Sequence, residues 1–312
     1  MILLVNPWIY DFTAYDLWMK PLGLIYIGGI LKNAGYEVKL IDCMDRNHPS
    51  IANLVKKDKY GCGPHYSIDV DKPEIYKRIP RKYKRFGIPI EAFLTELDRL
   101  NPQLILVTSG MTYWYPGAIL AIKLLRERFK KVPIILGGIY ARLHKEHANE
   151  FSCADLVYNG YDLPRILNLV NSYTQKNYKP KNFFPAYDLY EKLDYGVILT
   201  SYGCVFNCTY CATPFLYKYK TRKIDQVFRE IEYLYYKYKV KNFAFYDDAL
   251  LYDSEKHINK LLLKNVKINR FETYSNTIIL DCELDFDNFL MLFDFVKKIL
   301  KEVEKIAMVE VI

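Results

Sequence analysis

Between Ser201 and Pro214 the chain reads SYGCVFNCTYCATP, which places Cys204, Cys208 and Cys211 within eight positions at the spacing C-x3-C-x2-C. The thiolate is the metal-binding form of cysteine, and three of them on one turn-prone loop exceed what core packing asks for. Incidental core thiols are one reading of this triplet. Structural zinc is a second, but it closes over four ligands that usually arrive in pairs; no second C-x2-C or His pair follows, and Cys282 stands alone. An iron-sulfur cluster is the third, since cysteine thiolates are its ordinary ligands. On a four-iron cube, three protein thiolates leave one iron open to a substrate.

Such a loop needs rigid neighbours. Tyr195–Thr200 reads as a strand, Ile224, Val227, Phe228, Ile231 and Leu234 mark one helical face, and Asn242–Tyr246 reads as a second strand. The cysteines therefore follow the first strand of a β/α array, where chemistry gathers at the mouth of barrels. From Tyr195 onward 118 residues remain, room for three or four repeats of roughly 30 residues. A long amphipathic helix carrying Phe286, Phe289, Leu290, Phe293, Val296, Leu300 and Val303 is expected after them.

Upstream, Ile2–Val5 is an apolar run stopped at Asn6-Pro7, a helix is expected from Pro21 to a cap at Gly35, and Glu37–Ile41 resumes a strand. The pattern recurs with a strand at Gln103–Thr108, a helix at Pro116–Phe129 and strands at Val132–Leu136 and Ala154–Val157. Strand-helix-strand units of this kind are parallel and right-handed, so residues 1–170 are expected to form an open doubly wound, Rossmann-like sheet that binds ligands beyond its carboxyl ends. Asn47–Pro89 shows no period and reads as an insertion or mobile loop, and 171–192 as an interdomain linker before a second domain at 193–312.

Composition sets the outer limits. The chain has 312 residues, is 51% hydrophobic and 26% charged, which is a globular balance without an apolar run long enough to span a bilayer. Its start lacks the pattern of a secretory signal and its seven cysteines cannot all pair, so the reducing cytoplasm is the expected setting. Net charge is +8 with Lys and Arg scattered among 29 Tyr; no block reads as a nucleic-acid arm, and neither nucleic acid nor a membrane is an expected partner.

The C-x3-C-x2-C loop, with Gly203 before the first cysteine and aromatic Tyr210 before the last, resembles the signature of the radical S-adenosylmethionine superfamily. The resemblance implies that Cys204, Cys208 and Cys211 hold a 4Fe-4S cluster whose open iron chelates S-adenosylmethionine. Reductive cleavage of that cofactor would then give a 5′-deoxyadenosyl radical that takes hydrogen from a small-molecule substrate. It also implies an electron donor such as flavodoxin or ferredoxin. Downstream, EIEYLYYKYKV followed by NFAFYDDALL is similar to the second βα unit of the family's barrel, which would put Tyr246 and Asp247 at the cofactor. Upstream, MILLVNP, KPLGLIYIGGILKNAGYEVKLID, LILVTSG and VPIILGGIYA are similar to the cobalamin-binding domain often fused to such barrels. That likeness implies a corrinoid lying over Ser109, Gly110, Gly137 and Gly138, and a methyltransferase or similar radical enzyme. Asp45 and His48 lie one position too far apart for the family's cobalt-ligating D-x-H-x-x-G motif, so His48 is not read as a ligand. The expected fold is thus α/β, a cobalamin-binding-type sheet followed by a partial radical SAM barrel. A noncatalytic relative and a zinc-stabilised binding module are the alternatives.

Overall fold

The computed structural model describes residues 1–179, 183–254, 256–258 and 261, together with the backbone of strands at 267–274 and 277–283. The chain divides into two compact units, Met1–Leu193 and Asp194–Ile312.

The first unit is built on β1 (Ile2–Asn6), β2 (Ile9–Asp11), β3 (Tyr15–Asp16), α1 (Leu22–Asn33), β4 (Val38–Asp42), β5 (Gly63–Pro64), β6 (Ser67–Asp69), β7 (Lys84–Phe86), α2 (Ile90–Leu97), β8 (Leu104–Val107), α3 (Tyr115–Arg128), β9 (Ile134–Leu136), α4 (Ile139–Leu143), α5 (Lys145–Phe151), β10 (Leu156–Val157) and α6 (Leu163–Thr174). Five strands form a wholly parallel sheet in the order β10-β9-β8-β1-β4. Apart from Asn6 at the end of β1, the central strands β1, β8 and β9 are apolar throughout because both faces are covered, as parallel sheets require. Alternate residues serve opposite faces. Leu3, Val5, Ile105 and Val107 pack with Phe93, Ala121 and Leu125 from α2 and α3, whereas Ile2, Leu4, Leu104 and Leu106 pack with Ile30, Leu31, Ile166 and Val170 from α1 and α6. This is the doubly wound architecture the sequence suggests.

Two expectations need correction. The stretch from Asn47 to Pro89 is folded rather than loose: β7 pairs with β2 and β6, and β5 with β3, all antiparallel. Trp8 Nε1 donates to Ile88 O at 2.6 Å and Ile88 N–H to Cys43 O at 2.8 Å. Since Trp8 and Cys43 lie just past β1 and β4, the insertion closes over the carboxyl ends of those strands. The Arg46 guanidinium, buried, holds its 56–62 loop by donating to Lys56 O, Gly61 O and Cys62 O. The second correction concerns 171–192. Tyr36 Oη donates to the buried Asn171 at 2.6 Å, Tyr190 Oη to Asp42 at 2.6 Å, and Ala186, Tyr187 and Tyr190 are buried. Gly29 of α1 makes room for this segment, since a Cβ there would stand 2.2 Å from Phe184 O. The segment belongs to the first unit.

The second unit contains β11 (Gly196–Ile198), β12 (Ser201–Tyr202), α7 (Thr213–Leu216), β13 (Lys220–Thr221), α8 (Ile224–Tyr238), β14 (Asn242–Phe245), β15 (Lys267–Tyr274) and β16 (Thr277–Glu283). Val227, Ile231 and Leu234 are the buried stripe of α8, which returns the chain from β11 to a parallel β14. The expected β/α alternation stops there. β16 runs antiparallel to β14, and β15 is antiparallel to β16 because only two residues separate them and a parallel crossover needs a dozen or more. The amphipathic helix expected from Phe286 lies outside the described residues.

Candidate functional site

The cysteine loop rises from the β12/β13 ribbon, itself placed directly after β11. Entry to the loop is fixed by Gly203 at φ +67°, where a Cβ would stand 2.7 Å from Tyr217 O. Only glycine meets both demands, a left-handed backbone and close approach to another chain segment. Its exit is a turn in which Cys211 N–H donates to Cys208 O at 3.1 Å, followed by α7 with Pro214 in the first turn. Cys204 Sγ accepts the Phe206 N–H at 3.4 Å. Cys208 is exposed, Cys204 and Cys211 are half-buried, and all three are free thiols.

Under the loop lies a polar anchor. The Asp247 carboxylate, 2% exposed just past β14, accepts Thr200 N–H at 2.9 Å, Thr200 Oγ1 at 2.7 Å, Ser201 N–H at 2.5 Å and Ser201 Oγ at 2.6 Å. Buried donors aimed at one carboxylate make strong, charge-assisted bonds. The carbonyl of Thr200 accepts the Arg222 N–H at 2.8 Å and His257 Nε2 at 2.9 Å. A carbonyl only accepts, so Nε2 carries the imidazole proton; buried Nδ1 has no partner among the described residues. The Arg222 guanidinium donates to Leu199 O and to the buried Glu230, each at 2.6 Å. Residues 199–201 are therefore held from three sides immediately before the first cysteine.

These bonds give Asp247 a positioning task at the base of the loop. Tyr246, half-buried, donates its N–H to Ile198 O at 2.8 Å. The neighbouring carboxylate is the more exposed one. Asp248 is exposed and bonded to Thr213, and partial burial raises its pKa, with Asp247 adding to the rise and Thr213 opposing it. Tyr210 is 90% exposed, and Phe206 and Phe215 are exposed beside it, so the loop presents uncovered aromatic faces around its cysteines.

Does the donor set fit a cluster? Among the described residues no three His, Cys, Asp or Glu side chains are gathered as a metal-holding group, the cysteine triplet included. Its chemistry nevertheless fits: three free thiols lie on one short loop, and Val205 to Tyr210 are all exposed. The Phe206 ring meets Tyr252 edge-on at 6.2 Å, and the anchor below keeps the loop's base in place.

The corrinoid site fits less well. Ser109 Oγ donates to Gly137 O at 2.6 Å. A Cβ on Gly138 would stand 2.2 Å from Ser109 O, and one on Gly110 would stand 2.8 Å from the Trp114 ring. The small residues at 109, 110 and 138 thus accommodate the chain's own atoms, and the ends of β1 and β4 are covered by the insertion. His48 is engaged by Glu96 and Ser50. A Cβ on Gly137, by contrast, would meet only Tyr158 O, at 3.9 Å.

Fold and loop together describe an α/β protein with a cysteine-rich loop at the carboxyl end of a parallel strand. Residues 198–306, about a third of the chain, match the family model of the radical SAM superfamily, which supports a radical SAM domain in the second unit. The chain is 23% identical over 262 residues to a protein of Pyrococcus horikoshii named an uncharacterized methyltransferase, covering 77% of this chain and 51% of that one. It therefore spans about half the length of that curated relative. No solved structure gives a significant match. Among the described residues no helix is long and apolar enough to cross a membrane.

Thr200, Ser201, Arg222 and His257 were missed from sequence. The signal that points to the first two is a Thr-Ser pair and an Asp at the same level past two parallel strands, visible once β11 and β14 are paired.

Proposed function

We propose that the second unit binds a 4Fe-4S cluster through Cys204, Cys208 and Cys211 and cleaves S-adenosylmethionine to start radical chemistry. The observation that carries this reading is the triplet of free thiols on a loop whose base is clamped by Asp247, within the segment that matches the radical SAM family. When bound, the cluster would supply the electron that breaks the sulfonium carbon-sulfur bond. The chain's own part is to hold and orient. Asp247 and His257 fix the base of the loop, Gly203 sets its direction, and Asp248 offers an exposed carboxylate suited to an ammonium group. Tyr210 offers an uncovered ring suited to stacking on a base.

Methyl transfer is the reaction we propose for the substrate end, supported by the name of the Pyrococcus horikoshii relative. Cobalamin has no part in this proposal, since neither the family match nor the name of the relative points to it. The cytoplasm, a small-molecule substrate and a small acidic electron-transfer partner fit the same reading. Dithionite-reduced protein given S-adenosylmethionine under anaerobic conditions is expected to release 5′-deoxyadenosine and methionine, and Cys208→Ala to release neither. A fully reduced, iron-loaded protein that releases no 5′-deoxyadenosine would leave a cluster-binding protein without this activity.

A further inference from the structure

The insertion over the first sheet carries an unspent charge. From Lys77 to Arg85 the sequence KRIPRKYKR holds six cations in nine residues and no acid. Over Ser67–Arg85 there are seven cations and three acids, a net +4 against +8 for the whole chain. As sequence these cations read as part of a scattered basic background. The fold gathers them into one lobe.

Its inner side is aromatic. Tyr83, 4% exposed, lies with its ring centroid 5.3 Å from Phe12 and 5.7 Å from Tyr76, and the Arg85 guanidinium sits 5.7 Å from the Trp8 ring. With this side buried, Lys77, Arg78, Arg81 and Lys82 all face solvent. Lys72, Lys77 and Lys82 line a cleft of about 480 Å³ together with Asp69 and Asp71. Asp69 pairs with Lys82, and Glu74 with Lys77. Arg78 and Arg81 have no carboxylate partner among the described residues.

We propose that this lobe binds the phosphodiester backbone of a nucleic acid, through Arg78 and Arg81 with the cleft lysines beside them. Unpaired guanidiniums present a planar fork that matches phosphate oxygens. The other polyanions fit worse. A protein interface needs an apolar centre, and a membrane surface needs a broad apolar face; the lobe exposes Ile75 at 82% and Ile68 at 37%, flanked by charge. A regular line of phosphates asks only for cations. This inference is independent of the cysteine loop and survives if the cluster proposal fails.

The test titrates the full-length protein into labelled mixed-sequence DNA and RNA duplexes over a range of salt, with phosphatidylserine vesicles and polyglutamate as further arms. Binding to one or both duplexes is expected, with log K falling linearly in log salt. Arg78→Ala combined with Arg81→Ala should lower affinity about tenfold at low salt and flatten the slope by about 1.8, the share of two phosphate contacts. Lys130→Ala combined with Lys131→Ala makes the same charge change on exposed residues between α3 and β9 and should leave the slope unaltered. The proposal is overturned by no duplex binding, by equal effects of the two double variants, by an unaffected arginine variant, or by binding confined to vesicles or polyglutamate.

Discussion

At the scale of single residues, the chain spends buried polar groups on holding loops. Asp247 satisfies four donors of Thr200 and Ser201. Replacing it with Ala strands them, and each stranded buried donor costs about 1–3 kcal/mol. Urea denaturation of Asp247→Ala is expected to show a loss of at least about 3 kcal/mol; a change below about 1 kcal/mol would mean that the carboxylate is not the anchor. In the first unit His65 is buried with both ring nitrogens lacking partners among the described residues, and burial, with Arg46 and Lys20 adding to it, lowers its pKa from 6.5 to about 3. The folded state thus favours neutral imidazole. Its contribution to stability is present above pH 6.5 and is lost as pH falls toward 3, at up to about 1.4 kcal/mol per pH unit. His65→Leu should flatten this acid-side slope relative to the parent, and parallel stability-pH curves would show that His65 does not titrate as described. The anchoring bonds of Asp247 were not legible in the sequence, because the residue type does not reveal which donors a carboxylate meets. Cys204, Cys208 and Cys211 stand out in the sequence because their spacing is local.

Elements were legible in proportion to how locally they are determined. β1, β8 and the buried stripe of α8 are continuous or periodic apolar patterns, and they lie where periodicity puts them. Helices α2, α4 and α5 span only eight, five and seven residues, too short for a clear period, and the antiparallel β15/β16 pair was not foreseen at all. The insertion was read as loose because its order comes from distant contacts, Trp8 to Ile88 and Arg46 to three carbonyls. The element with the strictest local demand is the β12/β13 ribbon. Gly203→Ala adds left-handed strain of about 1–2 kcal/mol and forces a contact with Tyr217 O. It should reduce iron incorporation several-fold while the far-ultraviolet circular dichroism stays unchanged. Parental iron loading in this variant would show that the loop's direction is not set by its glycine.

For the whole molecule, two units with separate cores share one chain: a doubly wound sheet whose strand ends are covered by its own basic lobe, and a smaller α/β unit that presents a clamped cysteine loop. The first was expected to cradle a corrinoid. Gly110 and Gly138 there lie against Trp114 and Ser109, contacts that composition does not reveal. What the molecule does rests on the thiol triplet. Anaerobic reconstitution of the full-length protein with iron and sulfide, followed by metal analysis and visible spectroscopy, examines it directly. The account predicts a brown protein with about four irons per chain and no zinc, its broad visible absorption lost in Cys208→Ala. A colourless protein, or one that binds a single zinc and no sulfide, would contradict it.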